Sequence, residues 1–419
     1  MKIIDAKLTF SNENLISPFG FKGSYVDYLT IVKCEITTDK TNGVGYGLQS
    51  ILWSDAGVFS NLGNDKGNKL MLKITKYALT EIKNVSGDNP ISIIDKVYNK
   101  VLNYAKSLYA NLRETFVKNA LVAVDNALWQ AYGKENNVTD ITKIIPTKYL
   151  KALNNKHKTL CNVPLITYGV SEGEIKTLLD GGSVLLKIKI GNDLGGKLSK
   201  AEMLENDKKR INAIHNIAKN YKSKYSKSGN ILYYLDANGQ YDTINRVNEL
   251  INYLKEIGAY DNVVLFEEPF DEFNEINVSS LPIRVVADES VHSENDVLKR
   301  INLGYKAIAL KPIAKTLSET LKILKIANDN NIICFCADLT VPPIMVEWNK
   351  QVASRIDTLP ELNVGIMESN GKQNYVNWNK LIKLSPLYNK LNLGEVNGVY
   401  TLTDEYFELS GGIFMQLNY

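Results

Sequence analysis

The sequence predicts an α/β protein in which a smaller α+β domain precedes a barrel of parallel strands alternating with helices. Three observations carry this. First, five short apolar runs end in charged residues that a core strand ordinarily excludes: Val184-Leu-Leu-Lys187-Ile-Lys189-Ile, Ile231-Leu-Tyr-Tyr-Leu-Asp236-Ala-Asn238, Val263-Val-Leu-Phe-Glu267-Glu268-Pro269, Ile283-Arg-Val-Val-Ala-Asp288-Glu289 and Ala307-Ile-Ala-Leu-Lys311-Pro312. Second, the steps from Lys189 to Asp236, Glu267, Asp288 and Lys311 are 47, 31, 21 and 23 residues. Each gap has room for a helix and two loops, the length of a strand–helix–strand crossover. Repeated parallel crossovers close a sheet into a barrel, and active sites sit at the mouth where the strand C-termini meet. Third, the first 135 residues show strand patterns followed by helical ones rather than alternation.

In chain order, residues 3–10 alternate as a strand, residues 28–37 are a second and residues 43–48 a third, after the turn Asp39-Lys-Thr-Asn-Gly43. Helical patterns cover 67–83, 91–109 and 114–132, the middle one opened by Asn89-Pro90. The last carries Phe116, Ala120, Ala123, Ala127 and Ala131 at helical spacing, small enough for close helix packing. Two Gly-, Pro- and Ser-bearing stretches with aromatics, residues 17–24 and 49–55, read as candidate lids or as ordinary surface turns. A boundary falls within the polar segment 133–164, whose basic run 148–158 reads as a solvated face. Residues 163–169 are the expected first barrel strand, and Ser171-Glu-Gly-Glu174 is a capping box opening the next helix. After Lys311 come a helix over 317–328, strand seven over 332–338 and a last barrel strand over 364–368. The domains are therefore placed at 1–135, 136–392 and a C-terminal segment 393–419.

Composition narrows function. Lys+Arg number 49 and Asp+Glu 46, a net charge of +3, so there is no broad electrostatic case for nucleic acid. No run approaches the length of a transmembrane helix, and the first residues lack a signal peptide's apolar core. Cys34, Cys161, Cys334 and Cys336 are too few and poorly spaced for a disulfide scaffold, and reduced thiols in a cytoplasmic protein are the simpler reading.

The strand ends define the chemistry. Asp236, Glu267 and Asp288 would bring three hard oxygen ligands together, and without a cation they repel or take up protons. Mg²⁺ takes a few carboxylates and leaves its other positions to water or substrate. Lys187 and Lys189 share a face at strand spacing, and Lys311 lies on a strand beyond the carboxylates, so lysines would face each other across the metal. Positive neighbours lower a lysine's pKa and make it a base. Two opposed bases and a metal suit removal of a proton next to a carboxylate.

Together, Lys187-Ile-Lys189, Asp236-Ala-Asn238, Glu267-Glu268-Pro269, Asp288-Glu289-Ser290 and Leu310-Lys311-Pro312 resemble, in order and spacing, the enolase superfamily and its muconate-lactonizing-enzyme-like subgroup (the mandelate racemase/muconate lactonizing enzyme family). A lysine or histidine base paired with Mg²⁺ is an established property of that superfamily and not an inference from this chain. The resemblance implies an N-terminal α+β capping domain, a modified TIM (β/α)-barrel and a tail that returns to the cap. It implies Asp236, Glu267 and Asp288 as Mg²⁺ ligands, with Mn²⁺ as a substitute, and Lys189 and Lys311 as the acid/base pair. It further implies Lys187 beside the substrate carboxylate, Asn238 and Glu289 near the metal or behind its ligands, and a homo-oligomer. In that setting Phe19, Phe21 and Trp53 become lid residues that touch substrate.

The sequence departs from the family where Pro312-Ile-Ala-Lys315 follows the strand-six lysine in place of Gly-Gly, and where Glu268 replaces a common Gln. Strand seven offers Cys336 and Asp338 and no histidine, which supports the two-lysine subgroup. Asp338 and Glu368 could bind a substrate ammonium group, as of an amino-acid derivative or dipeptide, or serve as helix caps or structural pairs. His292 could touch substrate or sit beside a helix N-cap. The expected activity is racemisation or epimerisation of a small carboxylate through an enediolate. Dehydration or cycloisomerisation on the same scaffold is the alternative, followed by a Schiff-base aldolase and a non-catalytic barrel.

Overall fold

The computed structural model describes residues 1–21, 24–192 and 196–417, the side chains of residues 19–21 and 24 excepted. Strands β1 (Ile3–Phe21), β2 (Ser24–Thr38) and β3 (Asn42–Gln49) form an antiparallel sheet in that order. The first two are longer than their alternation suggests. Residues 11–14 of β1 are largely exposed, yet they pair rung by rung with β2, Ser11 opposite Ile31 and Asn14 opposite Tyr28. Residues 17–21 and 24 of the stretch expected as a loop instead continue this ribbon, with residue 19 opposite Val26, and residues 22 and 23 lie outside the described residues. Backbone pairing, which leaves no side-chain pattern, extends the hairpin. It reaches the barrel, where Leu15 bridges to Tyr375.

On the helix Glu114–Glu135, Phe116 and Ala120 pack with the preceding helices as expected, while Ala123, Ala127 and Ala131 pack on a strand. Gly43, Gly45 and Gly47 alternate on β3, and a Cβ at Gly45 would lie 2.2 Å from the Ala123 carbonyl oxygen and 2.2 Å from the Ala127 nitrogen. Glycine is required by this close approach. The same helix satisfies the free edge of β3: Gln130 accepts from Val44 N–H, while Asn126 and Asn119 donate to the Tyr46 and Leu48 carbonyls.

Ten strand segments form the second sheet. In chain order they are β4 (Thr159–Val163), β5 (Leu165–Ile166), β6 (Leu185–Lys189), β7 (Leu232–Asp236), β8 (Val263–Glu267), β9 (Val285–Ala287), β10 (Ala307–Leu310), β11 (Ile333–Cys336), β12 (Gly365–Glu368) and β13 (Val399–Thr401). Its order is β13-β4-β12-β11-β10-β9-β8-β7-β6-β5. The two strands at its ends, β5 and the next-to-last β4, are separated in the chain only by Pro164. Pro164 lacks a ladder donor, but its carbonyl accepts from Lys187 N–H. The β4–β5 segment thus pairs with β12 on one side and β6 on the other. The sheet closes into a barrel of eight parallel strands, β4–β5 counted once, with β13 antiparallel outside β4.

Helices follow most strands, but the 21-residue step from Glu267 to Asp288 has none, against expectation. Pro269 and Pro282 bracket that stretch. Within it Asp271, Asn274 and Asn277 accept from the N–H two residues on, of Phe273, Ile276 and Ser279. These local turns replace the helical ladder. The tail lays β13 on β4, and its Ile413 and Met415 carbonyls accept from Gln130 of the N-terminal helix.

Candidate active site

The barrel's interior alternates with period two. Leu185, Tyr234 with Leu232, Leu265, Val286, Ala307 with Ala309, Phe335 and Ile366 form one internal apolar cluster. Continuing each strand by two residues brings the same face to Lys187 and Lys189, Asp236, Glu267, Asp288, Lys311 and Glu368. The strands are therefore ordinary in the core and ionisable only at their C-terminal rungs, and the mouth is charged for that reason. All of these groups line one cavity.

Lys187 is fully buried among carboxylates. Its Nζ lies 3.0 Å from Asp236 Oδ2, 3.2 Å from Glu267 Oε1 and 3.2 Å from Glu368 Oε2, and sits 4.6 Å from the Tyr234 ring centre. Lys189 Nζ donates to Asp236 Oδ2 at 2.6 Å and Asn238 Oδ1 at 2.5 Å. Lys311 Nζ pairs with Asp288 Oδ2 beneath the Trp53 ring, 4.6 Å from its centre. Oxygen atoms of Glu267, Asp288 and Glu289 lie within 4.8 Å of one another, all three residues buried. Glu289, expected near the metal or behind its ligands, belongs to this group, whereas Asp236 is held by two lysines. Asn238 donates to Glu289 Oε1 at 3.2 Å and so joins Lys189 to that group.

Burial pushes the Glu267 carboxyl up to about 7 despite Lys187. Burial also pushes Asp288 up, but Lys311, Lys315 and Lys187 outweigh it and hold that carboxyl well below the usual range. Asp236 is likewise held low by Lys187 and Lys189 against burial. Burial disfavours the Lys187 and Lys311 ammonium groups, yet the carboxylates prevail and raise both. This is opposite to the lowering expected from the sequence, because within the chain itself the lysines' nearest neighbours are anions.

Glu268 faces away from Glu267. Its Oε1 accepts from Asp288 N–H at 2.7 Å and from Ser290 N–H at 2.9 Å, which fixes the turn carrying Asp288 and Glu289. Burial, then Glu289, pushes its carboxyl up to about 8. Asp338 accepts from Asn370 N–H at 2.8 Å and Val341 N–H at 3.4 Å, and its own N–H donates to Glu368 Oε2 at 3.1 Å. Both acids line the cavity, but their oxygens hold backbone and Lys187. Burial pushes Asp338 up to about 6, with Glu368 adding to it. His292 is not in the lining; its N–H donates to Asp296, at the start of the next helix.

The roof comes from the N-terminal region: Val26, Leu29, Ile51, Leu52 and Trp53. Residues Ile51–Ser54 form one helical turn and all four are buried, so this stretch is packed rather than an exposed loop. Trp53 does line the cavity. The side chains of Phe19 and Phe21 lie outside the described residues.

Lys315 was absent from the sequence-based site. Its Nζ donates to the Asp288 carbonyl at 2.5 Å and lies 3.2 Å from Asp288 Oδ1. The signal was present in Lys311-Pro312: a proline opening a helical turn puts residues 311 and 315 on one face.

No family model and no curated protein matches this chain. Solved structures do match it. A mandelate racemase/muconate lactonizing protein from Herpetosiphon aurantiacus covers 96% of this chain and 96% of its own at 15% identity and a TM-score of 0.67. A dipeptide epimerase from Enterococcus faecalis, solved with Mg and the dipeptide L-Leu-L-Tyr, matches at 19% identity, 95% and 99% coverage and a TM-score of 0.63. An N-succinyl Arg/Lys racemase from Bacillus cereus matches at 16% identity, 90% and 89% coverage and a TM-score of 0.64. At these identities the shared feature is the fold, a three-stranded N-terminal sheet over a curled, mostly parallel barrel.

Proposed function

We propose that this chain is an isomerase that removes the α-proton of a carboxylic acid and returns it to the opposite face, a racemase or epimerase. One observation carries the reading: Lys189 and Lys311 line the same cavity from β6 and the end of β10, four strands apart in a ring of eight. Diametrically placed amines can address both faces of one α-carbon. One accepts the proton and the other, entering protonated, delivers its own. Lys187, buried and cationic on the same strand as Lys189, would pair with the substrate carboxylate. The roof of Leu29, Leu52 and Trp53 excludes water from the exchanging proton.

The donor set fits a hard divalent cation. Six carboxylates line the cavity (Asp236, Glu267, Asp288, Glu289, Asp338 and Glu368) against three lysines (Lys187, Lys189 and Lys311). Glu267 Oε2 and Glu289 Oε2 are buried without a hydrogen-bond partner. We assign Mg²⁺, or Mn²⁺ in its place, to Glu267 and Asp288 together with Glu289 or Asp236. When bound it supplies the positive charge that makes the acid's α-hydrogen more acidic. The racemase and epimerase activities of proteins with this fold support an amino-acid derivative or a dipeptide as substrate.

The test is α-proton exchange in D₂O followed by NMR, with Mg²⁺ and a panel of N-acylamino acids, dipeptides, α-hydroxy acids and acid sugars. Exchange with one class is expected, and Lys189→Ala and Lys311→Ala should each abolish interconversion while the protein stays folded. Interconversion that survives in either variant would refute the two-base assignment.

A further inference from the structure

On the charged floor two carboxylates each meet two lysines, but the pairs are placed differently. Asp236 is paired with Lys189 and with Lys187, and both of these lysines line the cavity. Asp288 is paired with Lys311, which lines the cavity, and with Lys315, which is absent from the described lining. The second arrangement follows from the chain after β10. Pro312 starts a single helical turn, Pro312–Lys315, whose Ala314 and Lys315 N–H groups both donate to the Lys311 carbonyl. Residues 311 and 315 then project on one side, and both ammonium groups meet Asp288. They take different oxygens: Lys311 takes Oδ2, while Lys315 takes Oδ1 and also the backbone carbonyl. Lys315 is 2% exposed and lies 5.9 Å from the centre of the Trp53 ring.

We propose that Lys315 is a positioning residue for the base on the β10 side. It holds Asp288 Oδ1 and the Asp288 carbonyl, so that this carboxylate keeps its place, with or without the cation assigned to it, when Lys311 leaves Oδ2 for the substrate. This rests on the isomerase reading above. A lysine that serves an α-carbon must move off its resting partner at each turnover. In the metal-free protein, loss of both lysines would leave Asp288 buried without a cation, which is strongly disfavoured. Lys315 is held back from that excursion by its second bond, to the Asp288 main chain, and it is not among the residues lining the cavity. The sequence position that departs most from the family pattern is thereby given a task.

Two measurements test it. The first is free of activity: urea unfolding of the full chain in chelating buffer for Lys311→Met, Lys315→Met and the double variant. If either lysine can hold Asp288 alone, the double variant's unfolding constant exceeds the product of the single effects by about tenfold or more. Additive effects would overturn the proposal. The second is stereoisomer-resolved exchange in D₂O. Lys315→Met should slow, by about tenfold or more, the isomer whose exchange Lys311→Ala abolishes, and change the other by less than about threefold. Lys315→Arg should restore it. Equal loss for both isomers, or no loss, would overturn the proposal. If Lys315→Met does not fold, Lys315→Gln takes its place in both experiments. A wild-type protein that exchanges nothing refutes the isomerase reading instead, and the unfolding cycle still decides whether the two lysines share Asp288.

Discussion

Replacing Lys187 by methionine keeps the stem and removes the charge from the most heavily engaged cation of the floor. Lys187 meets Asp236, Glu267 and Glu368 at 3.0–3.2 Å with all four side chains at most 4% exposed. Breaking a buried pair by deleting one partner costs about 3–5 kcal/mol, because the other charge stays buried and unpaired. Asp236 keeps Lys189, so Glu267 and Glu368 suffer most, and a loss of about 3–5 kcal/mol is expected for the variant. The pH dependence fixes the sign. Lysines hold Asp236 low in the folded protein, so its contribution is present above the unfolded value of 3.8 and is lost as pH falls through its lower folded value. Loss of Lys187 removes part of that contribution. Glu267, raised to about 7 by burial although Lys187 opposes it, would rise further, and its added penalty would open above about pH 7. The deficit should therefore shrink in acid and widen in base. Urea unfolding followed by tryptophan fluorescence, in chelating buffer at several pH values, measures it. Mg²⁺ should restore part of the lost stability. A deficit below about 1 kcal/mol at neutral pH, or one that widens in acid, would refute the reasoning.

Other substitutions probe separate parts. Asp125, buried against Ser318, has its carboxyl pushed up to about 6 by burial, so stability from that group is complete below 3.8 and falls as pH rises through about 6. Asp125→Asn should gain on the wild type by about 2 kcal/mol between pH 4 and 7, read by urea titration at each pH. Gly45→Ala would drive a Cβ to 2.2 Å from helix backbone atoms and should lower stability by about 3 kcal/mol or more, seen as a fall in Tm. Trp53→Leu keeps an apolar roof but removes the ring over Lys311, a contact worth about 0.5–2 kcal/mol, so kcat/KM should drop a few-fold to about 30-fold with the fold intact. Chelation should stop α-proton exchange and added Mg²⁺ should restore it; exchange unaffected by chelator would remove the metal from the reaction.

The barrel and its charged rungs were legible because two periodicities coincide. Strand alternation runs through Leu232, Tyr234 and Asp236, and it meets a spacing that fits crossovers. The sequence alone therefore puts the lysines and carboxylates at one mouth. Three features were not legible. The hairpin of β1 and β2 is held by main-chain pairing beyond Phe10, where side chains carry no pattern. The alanine stripe 120–131 marks a close approach but does not say to what; its partner, Gly43-Val-Gly-Tyr-Gly47, lies some eighty residues away. The missing helix between β8 and β9 is decided by Asx turns at 271, 274 and 277, each favoured locally, while the residue count alone allows a helix.

The mouth also hides its strain. Glycine in a left-handed conformation advertises a turn in the sequence, but here several such positions are filled by other residues. Asn238 and Glu268 follow β7 and β8 with φ of 44° and 38°, and Thr316 lies just beyond Lys315 with φ of 71°. Each costs on the order of 1 kcal/mol, and a glycine would relieve it. The side chains explain why glycine would not serve. Asn238 joins Lys189 to Glu289, Glu268 binds the N–H groups of Asp288 and Ser290, and Thr316 caps the helix after Lys315. Asn238 and Glu268 sit where a strand hands its ionisable residue to a loop, and Thr316 joins the turn carrying Lys315 to the next helix. Rotating any of them back to ordinary backbone would turn the adjoining Asp236, Glu267 or Lys315 away from its partners. The strain at these positions is therefore tied to the geometry of the floor: relaxing Asn238 to glycine should ease the backbone while it frees Lys189 from Glu289, so that stability and α-proton exchange move in opposite directions.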